Sequence, residues 1–256
     1  MRSIQQDRPV VLTIAGIDPS GGAGIVADIK TIAEFECFPA AAITSITFQN
    51  AKRVFGAEHQ TAATLRAQVE PIFQDAKVAA AKTGMLPTAE IVAEVARLFR
   101  EEDLPAPVVD PVMVSTSGHD LIDDEARRLL MTELLPVARL VTPNIPEAER
   151  LAGFSIHSEA DMHRAAEAIK SLGARAVLVK GGHRLTSQAD AFDILLDETG
   201  NFAEFREEYI DVGEIHGSGC TLSAAIAAAL GKGMSLEAAV GAAKKYLTDQ
   251  IRALIQ

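Results

Sequence analysis

Short apolar runs rich in β-branched residues alternate with segments of helical periodicity along almost the whole chain, and that alternation restricts the fold to one class. Pro9–Ile17, Ala40–Phe48, Ala79–Thr83, Pro107–Asp110, Ala138–Thr142 and Ala174–Lys180 read as strands. Between them, Ala23–Glu36 sets Ile25, Ile29, Ile32 and Phe35 at helical spacing. Thr61 caps a second helix, with Leu65, Val69, Ile72 and Phe73 on one face. Thr88–Arg100, Asp123–Leu135, Ile145–Ala152 and Glu159–Leu172 supply further helices. Arg53–His59 reads as a short exposed strand, and Ala191–Leu196 with Phe202–Tyr209 as an antiparallel hairpin. The pattern predicts an α/β fold: a mostly parallel central sheet with helices on both faces. With no linker, repeat or low-complexity segment, residues 1–256 are expected to form a single domain.

Charge and cysteine usage narrow the function. Thirty-five acidic against 24 basic residues give a net charge of −11, which argues against nucleic acid or an anionic membrane as partner. No stretch reaches the ~18 apolar residues of a membrane span. Met1–Arg8 is polar and lacks the apolar core of a signal peptide. Cys37 and Cys220 are the two cysteines, too few for a disulfide framework or a zinc site. The cytoplasm is the expected location.

In sheets of this class, ligands lie beyond the carboxyl ends of the strands. Polar and glycine-rich segments gather there: Gly16–Gly24, Gln49-Asn50, Lys82–Met85, Asp110-Pro111, Pro143-Asn144 and Lys180–His183. The nucleotide-binding phosphate loop, the dinucleotide fingerprint, the zinc-protease pair and the nucleophile elbow are all absent. What remains is His216-Gly-Ser-Gly-Cys-Thr221, followed by the apolar run Leu222–Leu230. Two glycines permit a tight turn, and a helix beginning at Leu222 would aim its free N–H groups at one point, an anion site. Cys220 sits where a lowered thiol pKa is expected, as a base or nucleophile. An ordinary glycine turn with a small core cysteine would look the same.

Other strand ends carry two readings each. Asn144-Ile-Pro-Glu147 opens a helix with hard oxygen ligands that suit Mg²⁺, or Glu147 simply complements the helix dipole. Asp110 is a second metal-side carboxylate or a turn-forming Asp-Pro. Lys180 is a point charge for phosphate or a solvated strand end. Gln49 offers a donor and an acceptor together, which matches an aminopyrimidine edge. Met85 is an apolar wall for a flat ring or a core residue.

Six segments then occur in a fixed order: Thr13–Gly24 (TIAGIDPSGGAG), Lys82–Leu86 (KTGML), Val109–Met113 (VDPVM), Thr142–Glu147 (TPNIPE), Val179–His183 (VKGGH) and His216–Thr221 (HGSGCT). Through them the chain resembles, from Val10 onward, the hydroxymethylpyrimidine/phosphomethylpyrimidine kinases of thiamine biosynthesis, within the ribokinase-like superfamily. The resemblance implies a three-layer ribokinase-like fold with a small β flap drawn from Ala40–His59. It implies ATP and Mg²⁺, with 4-amino-5-hydroxymethyl-2-methylpyrimidine and then its monophosphate as acceptors. The pyrimidine would lie near Gly16, Asp18, Ala23, Gln49, Met85 and Val112. Asn144, Glu147 and Lys180 would hold the triphosphate, with Asp110 and Glu147 on the metal side. Gly217 and Gly219 would shape the anion hole, and Cys220 would take the alcohol proton. Family analogy also implies a homodimer, with which the apolar residues Leu247, Ile251, Leu254 and Ile255 are compatible. Two positions depart from the pattern: Thr116, where some relatives carry lysine, and Ser218, where threonine is frequent. A pyridoxal kinase is the nearest alternative, and a binding module with a degenerate kinase site is the alternative from another class.

Overall fold

The computed structural model describes residues 8–50, 53–114, 121–182, 190–208, 210, 212–213 and 215–255. Met1–Asp7, Thr116, His183 and Tyr209 lie outside the described residues. The strands are β1 Val10–Ile17, β2 Phe38–Asn50, β3 Arg53–His59, β4 Val78–Thr83, β5 Val108–Val109, β6 Leu140–Val141, β7 Val177–Gly182, β8 Asp190–Leu196 and β9 Phe202–Glu208. The helices are α1 Gly24–Glu34, α2 Ala62–Asp75, α3 Ala89–Glu101, α4 Asp124–Leu129, α5 Ile145–Ala152, α6 Glu159–Ser171, α7 Ser218–Gly231 and α8 Leu236–Ala253.

All nine strands join one sheet in the order β3-β2-β1-β4-β5-β6-β7-β8-β9. Strands β2, β1, β4, β5, β6 and β7 run parallel, while β3, β8 and β9 pair antiparallel with their neighbours. Side chains alternate across a strand, so each parallel strand feeds two cores. Leu12 and Ile14 join Val109, Val141 and Val177 in a core beneath α2, α3, α5 and α6. Val11 joins Val108, Leu140 and Leu178 in another, beneath α1, α7 and α8. The result is the three-layer arrangement of the ribokinase-like kinases. Beyond Ile46, β2 has left β1 and pairs with β3 alone, which makes the expected flap.

Three features differ from the sequence reading. The helix expected over Asp123–Leu135 is α4 followed by a π turn, Leu130–Leu134, and a 3₁₀ turn, Leu135–Val137. Pro136 lacks the N–H that would continue the α ladder. Helix α7 starts at Ser218, four residues before Leu222, because Gly217 already adopts a capping conformation. Helix α8, which the sequence reading did not include, buries Leu236, Ala239, Val240 and Ala243 at helical spacing; Ser235 caps it and Lys244 ties it down. The Lys244 ammonium donates to Asp193 at 2.8 Å and to the carbonyls of Ala191 and Phe205 at 3.0 and 2.9 Å. Leu247 packs into the second core, whereas Leu254 and Ile255 stay exposed.

Candidate active site

The carboxyl ends of the parallel strands open into one pocket of about 200 Å³. Pockets for drug-sized ligands span roughly 300–1,000 Å³, so this one suits a single small ring with short arms. Every site residue expected from the sequence lines it: Gly16, Asp18, Ala23, Gln49, Met85, Asp110, Val112, Asn144, Glu147, Lys180, Gly217, Gly219 and Cys220.

On the flap side, Asp18 is the hub. Its carboxylate accepts from Ser20 N and Oγ at 2.8 and 2.7 Å and from Ala23 N at 3.0 Å. His216 Nε2 lies 2.8 Å from the same carboxylate, and the Gln49 amide donates to it as well. Burial alone would raise the Asp18 carboxyl, but the bonds from Gln49, Ser20 and His216 outweigh it and hold it at about 2. The carboxylate thus fixes the Gln49 amide, which lines the pocket with Met85 and Val112. His216 is the latch between two glycine-rich loops.

On the other side, Asn144 and Glu147 form a capping box at the start of α5. Glu147 N donates to Asn144 Oδ1 at 2.9 Å, and Asn144 N donates to Glu147 Oε2 at 2.8 Å. Glu147 is buried beside Lys180 and Asp110. Burial pushes its carboxyl up to about 7, an effect eased by Lys180 and reinforced by Asp110. Lys180 reaches this point because its strand is bridged to the α5 loop, Lys180 N donating to Pro143 O at 2.8 Å. Its ammonium pairs with Asp110 Oδ1 at 3.1 Å. Ser223 and Thr142 each donate to Asp110 at 3.3 Å.

Helix α7 closes the pocket floor. Gly217, in the left-handed region at φ 82°, turns the chain so that Ser218, Gly219 and Cys220 form the first helical turn. Ser218 N donates to Ile215 O at 3.4 Å; the N–H groups of Gly219 and Cys220 have no helical carbonyl to reach and are left to face an anion. A Cβ on Gly219 would lie 3.2 Å from Lys180 Nζ, so a side chain there would press on the ammonium. Cys220 departs from expectation. Its thiol is not lowered but pushed up to about 11. Burial is the main cause; Lys82 opposes it, while Asp28 and Asp110 reinforce it. The helix-terminus argument counts only local N–H groups, and two buried carboxylates and desolvation outweigh them.

The sequence and the fold both match known proteins. The phosphomethylpyrimidine kinase family matches residues 18–256. The chain belongs to that family. A hydroxymethylpyrimidine/phosphomethylpyrimidine kinase from Streptomyces coelicolor is 43% identical over 245 residues, covering 96% of this chain and 89% of that protein. The crystal structure of phosphomethylpyrimidine kinase from Clostridium difficile 630 superposes with a TM-score of 0.84 at 40% identity, covering 95% of this chain and 100% of that one. An ADP complex of Bacillus subtilis pyridoxal kinase superposes with a TM-score of 0.86 at 38% identity, covering 94% and 91%. As a phosphomethylpyrimidine kinase family member, the protein is a kinase with a ribokinase-like fold.

One residue pair escaped the sequence reading. Lys82 and Asp28 form an ion pair with no exposed surface. Lys82 stands in a recognisable motif, but a lone lysine at a strand end gives no sign of burial.

Proposed function

We propose that the protein transfers a phosphoryl group from ATP to the hydroxymethyl oxygen of 4-amino-5-hydroxymethyl-2-methylpyrimidine, and then to the resulting monophosphate, in thiamine biosynthesis. The observation that carries this reading is the Gln49 amide, held by Asp18, lining one small pocket together with Met85 and Val112. The amide, its orientation set by Asp18, presents hydrogen-bonding groups to the aminopyrimidine edge, and the apolar side chains take the ring faces. Gly16 and Ala23 complete that wall.

Phosphoryl transfer depends chiefly on positioning and on neutralising charge. Lys180 serves the phosphates as a point charge, exchanging Asp110 for phosphate oxygens. The first-turn N–H groups of α7, placed by Gly217 and Gly219, receive the transferring group, and Asn144 orients the α5 terminus. Mg²⁺ fits the donor set: Asp110 and Glu147 supply hard oxygens, and no cluster of three potential ligands occurs among the described residues. An ion that keeps its waters and the nucleotide's phosphates needs no more. When bound, it would neutralise charge on the phosphates.

Cys220 takes the alcohol proton in the first step. Its high pKa makes it a strong base when ionised but leaves little thiolate at neutral pH. The second acceptor is an ionised phosphate, which has no alcohol proton to lose.

The similarity to a pyridoxal kinase supports a second reading, in which pyridoxal is also accepted. Initial rates with the aminopyrimidine alcohol and with pyridoxal, at matched subsaturating concentrations, decide between them. A higher kcat/KM for pyridoxal would displace the first reading. For assembly we infer a homodimer, supported by exposed Ile46, Phe48 and Phe55 on the flap and by Leu254 and Ile255 beyond α8. Light scattering that gives the monomer mass would overturn it.

A further inference from the structure

The strand that carries Lys180 is irregular at the very next residue. In the β7–β8 pairing Lys180 faces Asp193 and Gly182 faces Phe192, so Gly181 is an extra residue, a β-bulge. A Cβ on Gly181 would lie 2.4 Å from the Phe192 carbonyl oxygen and 2.8 Å from Met162 Cε, which leaves no room for a side chain. A bulge takes one N–H out of the ladder, and a buried N–H needs another acceptor. Gly181 N finds it in Asp193 Oδ1, at 3.1 Å.

That carboxylate is held in its turn. Lys244 of α8 donates to Asp193 Oδ2 at 2.8 Å and gives its other two protons to Ala191 O and Phe205 O, at 3.0 and 2.9 Å. Both side chains are buried. A buried pair of this kind adds little stability over apolar side chains of similar size, because desolvation offsets the attraction. What it does fix is the orientation of the carboxylate, and with it the bulge.

Lys180 sits between two backbone ties. Its own N–H donates to Pro143 O at 2.8 Å, and the following N–H is the one Asp193 holds. Side chains alternate along β7, so Lys180 shares with Leu178 the face toward α7. There its ammonium pairs with Asp110 at 3.1 Å and borders the pocket. Bulges beside active sites commonly re-aim a side chain. Neither Asp193 nor Lys244 lines the pocket, so both act through Lys180.

We infer that Asp193, anchored by Lys244, is a positioning residue for Lys180: its bond to the Gly181 N–H sets the bulge that aims the ammonium at the nucleotide phosphates. The inference rests on Lys180 serving those phosphates, as proposed above.

The test is the affinity for AMP-PCP, a non-hydrolysable ATP analogue, measured by calorimetry with Mg²⁺ present on protein that melts cooperatively. Asp193→Val/Lys244→Met removes acceptor and anchor together and strands no charge. Asp193→Ala/Lys244→Met replaces it if the valine variant does not fold. Asp193→Asn/Lys244→Met loses the same ion pair but keeps an oxygen for the Gly181 N–H. AMP-PCP affinity is expected to fall about tenfold in the valine variant, as for one charged hydrogen bond, and to stay within about threefold of the parent in the asparagine variant. Affinity for the pyrimidine alcohol holds in both. In a Lys180→Met background the valine double variant causes no further loss, because the substitutions act through one ammonium. Equal AMP-PCP affinities in the valine and asparagine variants, or a loss that persists without Lys180, would overturn the inference. Lys180→Met alone with undiminished AMP-PCP affinity would instead overturn the phosphate role of Lys180. The crystal structure of the valine variant then decides the inference: Lys180 Nζ still 3.1 Å from Asp110 Oδ1 overturns it, and a displaced ammonium upholds it.

Discussion

Gly217 and Gly22 meet so closely that a Cβ on Gly217 would lie 1.9 Å from the Gly22 carbonyl oxygen. Gly217 also has φ +82°, a conformation L-residues rarely adopt. Gly217→Ala therefore combines strain with a backbone clash, and is expected to cost about 3 kcal/mol or more. Gly233 is the control: its φ is +83° with nothing within 4 Å, so Gly233→Ala carries the strain alone, about 1 kcal/mol. Urea denaturation of both variants measures the difference. Equal costs would mean that the two loops separate in solution.

Cys220→Ala is expected to reduce phosphorylation of the free alcohol by roughly 10²–10⁴-fold, the range for losing a general base. Phosphorylation of the monophosphate suffers less. With the thiol at about 11, the first rate should also climb by up to about tenfold per pH unit above neutrality, a slope the alanine variant lacks. Glu147 ionises near neutrality in both steps, so the ratio of the two rates isolates Cys220. Equal losses in both steps would confine Cys220 to shaping the anion hole.

Glu147→Gln separates charge from capping, since glutamine keeps the capping box. The carboxyl rises from 4.5 to about 7 on folding, so the folded state binds the proton more tightly than the unfolded chain. Stability then falls as pH rises between those values and levels off above them. The variant escapes that decline: above neutrality it should be more stable than the parent by ~1–3 kcal/mol, and below about pH 4.5 the two should converge. Its half-maximal rate should require more Mg²⁺. Thermal melts across pH and a Mg²⁺ titration check the two halves independently. An unchanged Mg²⁺ requirement would reduce Glu147 to a helix cap.

Gln49→Leu removes the group assigned to the aminopyrimidine edge. The kcat/KM for the pyrimidine should drop by about 5- to 30-fold, on the order of 1–2 kcal/mol, with the KM for ATP nearly constant. Steady-state kinetics with each substrate varied in turn provide the comparison. A normal pyrimidine response with weakened ATP binding would reverse the assignment of the two subsites.

Most parallel-strand ends are legible in this chain because glycine, proline or aspartate punctuates them, β2 with Gln49-Asn50 being the exception, and residues at these ends line the pocket. The Asn144/Glu147 capping box is equally legible, since both partners lie within one helical turn. What escapes local reading depends on distant groups. The Cys220 thiol is set by Lys82, Asp28 and Asp110, drawn from β4, α1 and the end of β5. Lys244 looks like a surface lysine until the β8–β9 hairpin folds over it. Helix α8 is legible: Leu236, Ala239, Val240 and Ala243 recur at helical spacing after the Ser235 cap.

The Asp18–His216 latch joins residues 198 positions apart. A chain still on the ribosome can complete β1 to β7 and hold the centre of the sheet. It has no α7 to cradle a phosphate and no His216 to close the flap side. Turnover thus begins only when synthesis has passed α7, and an unfinished copy cannot consume ATP.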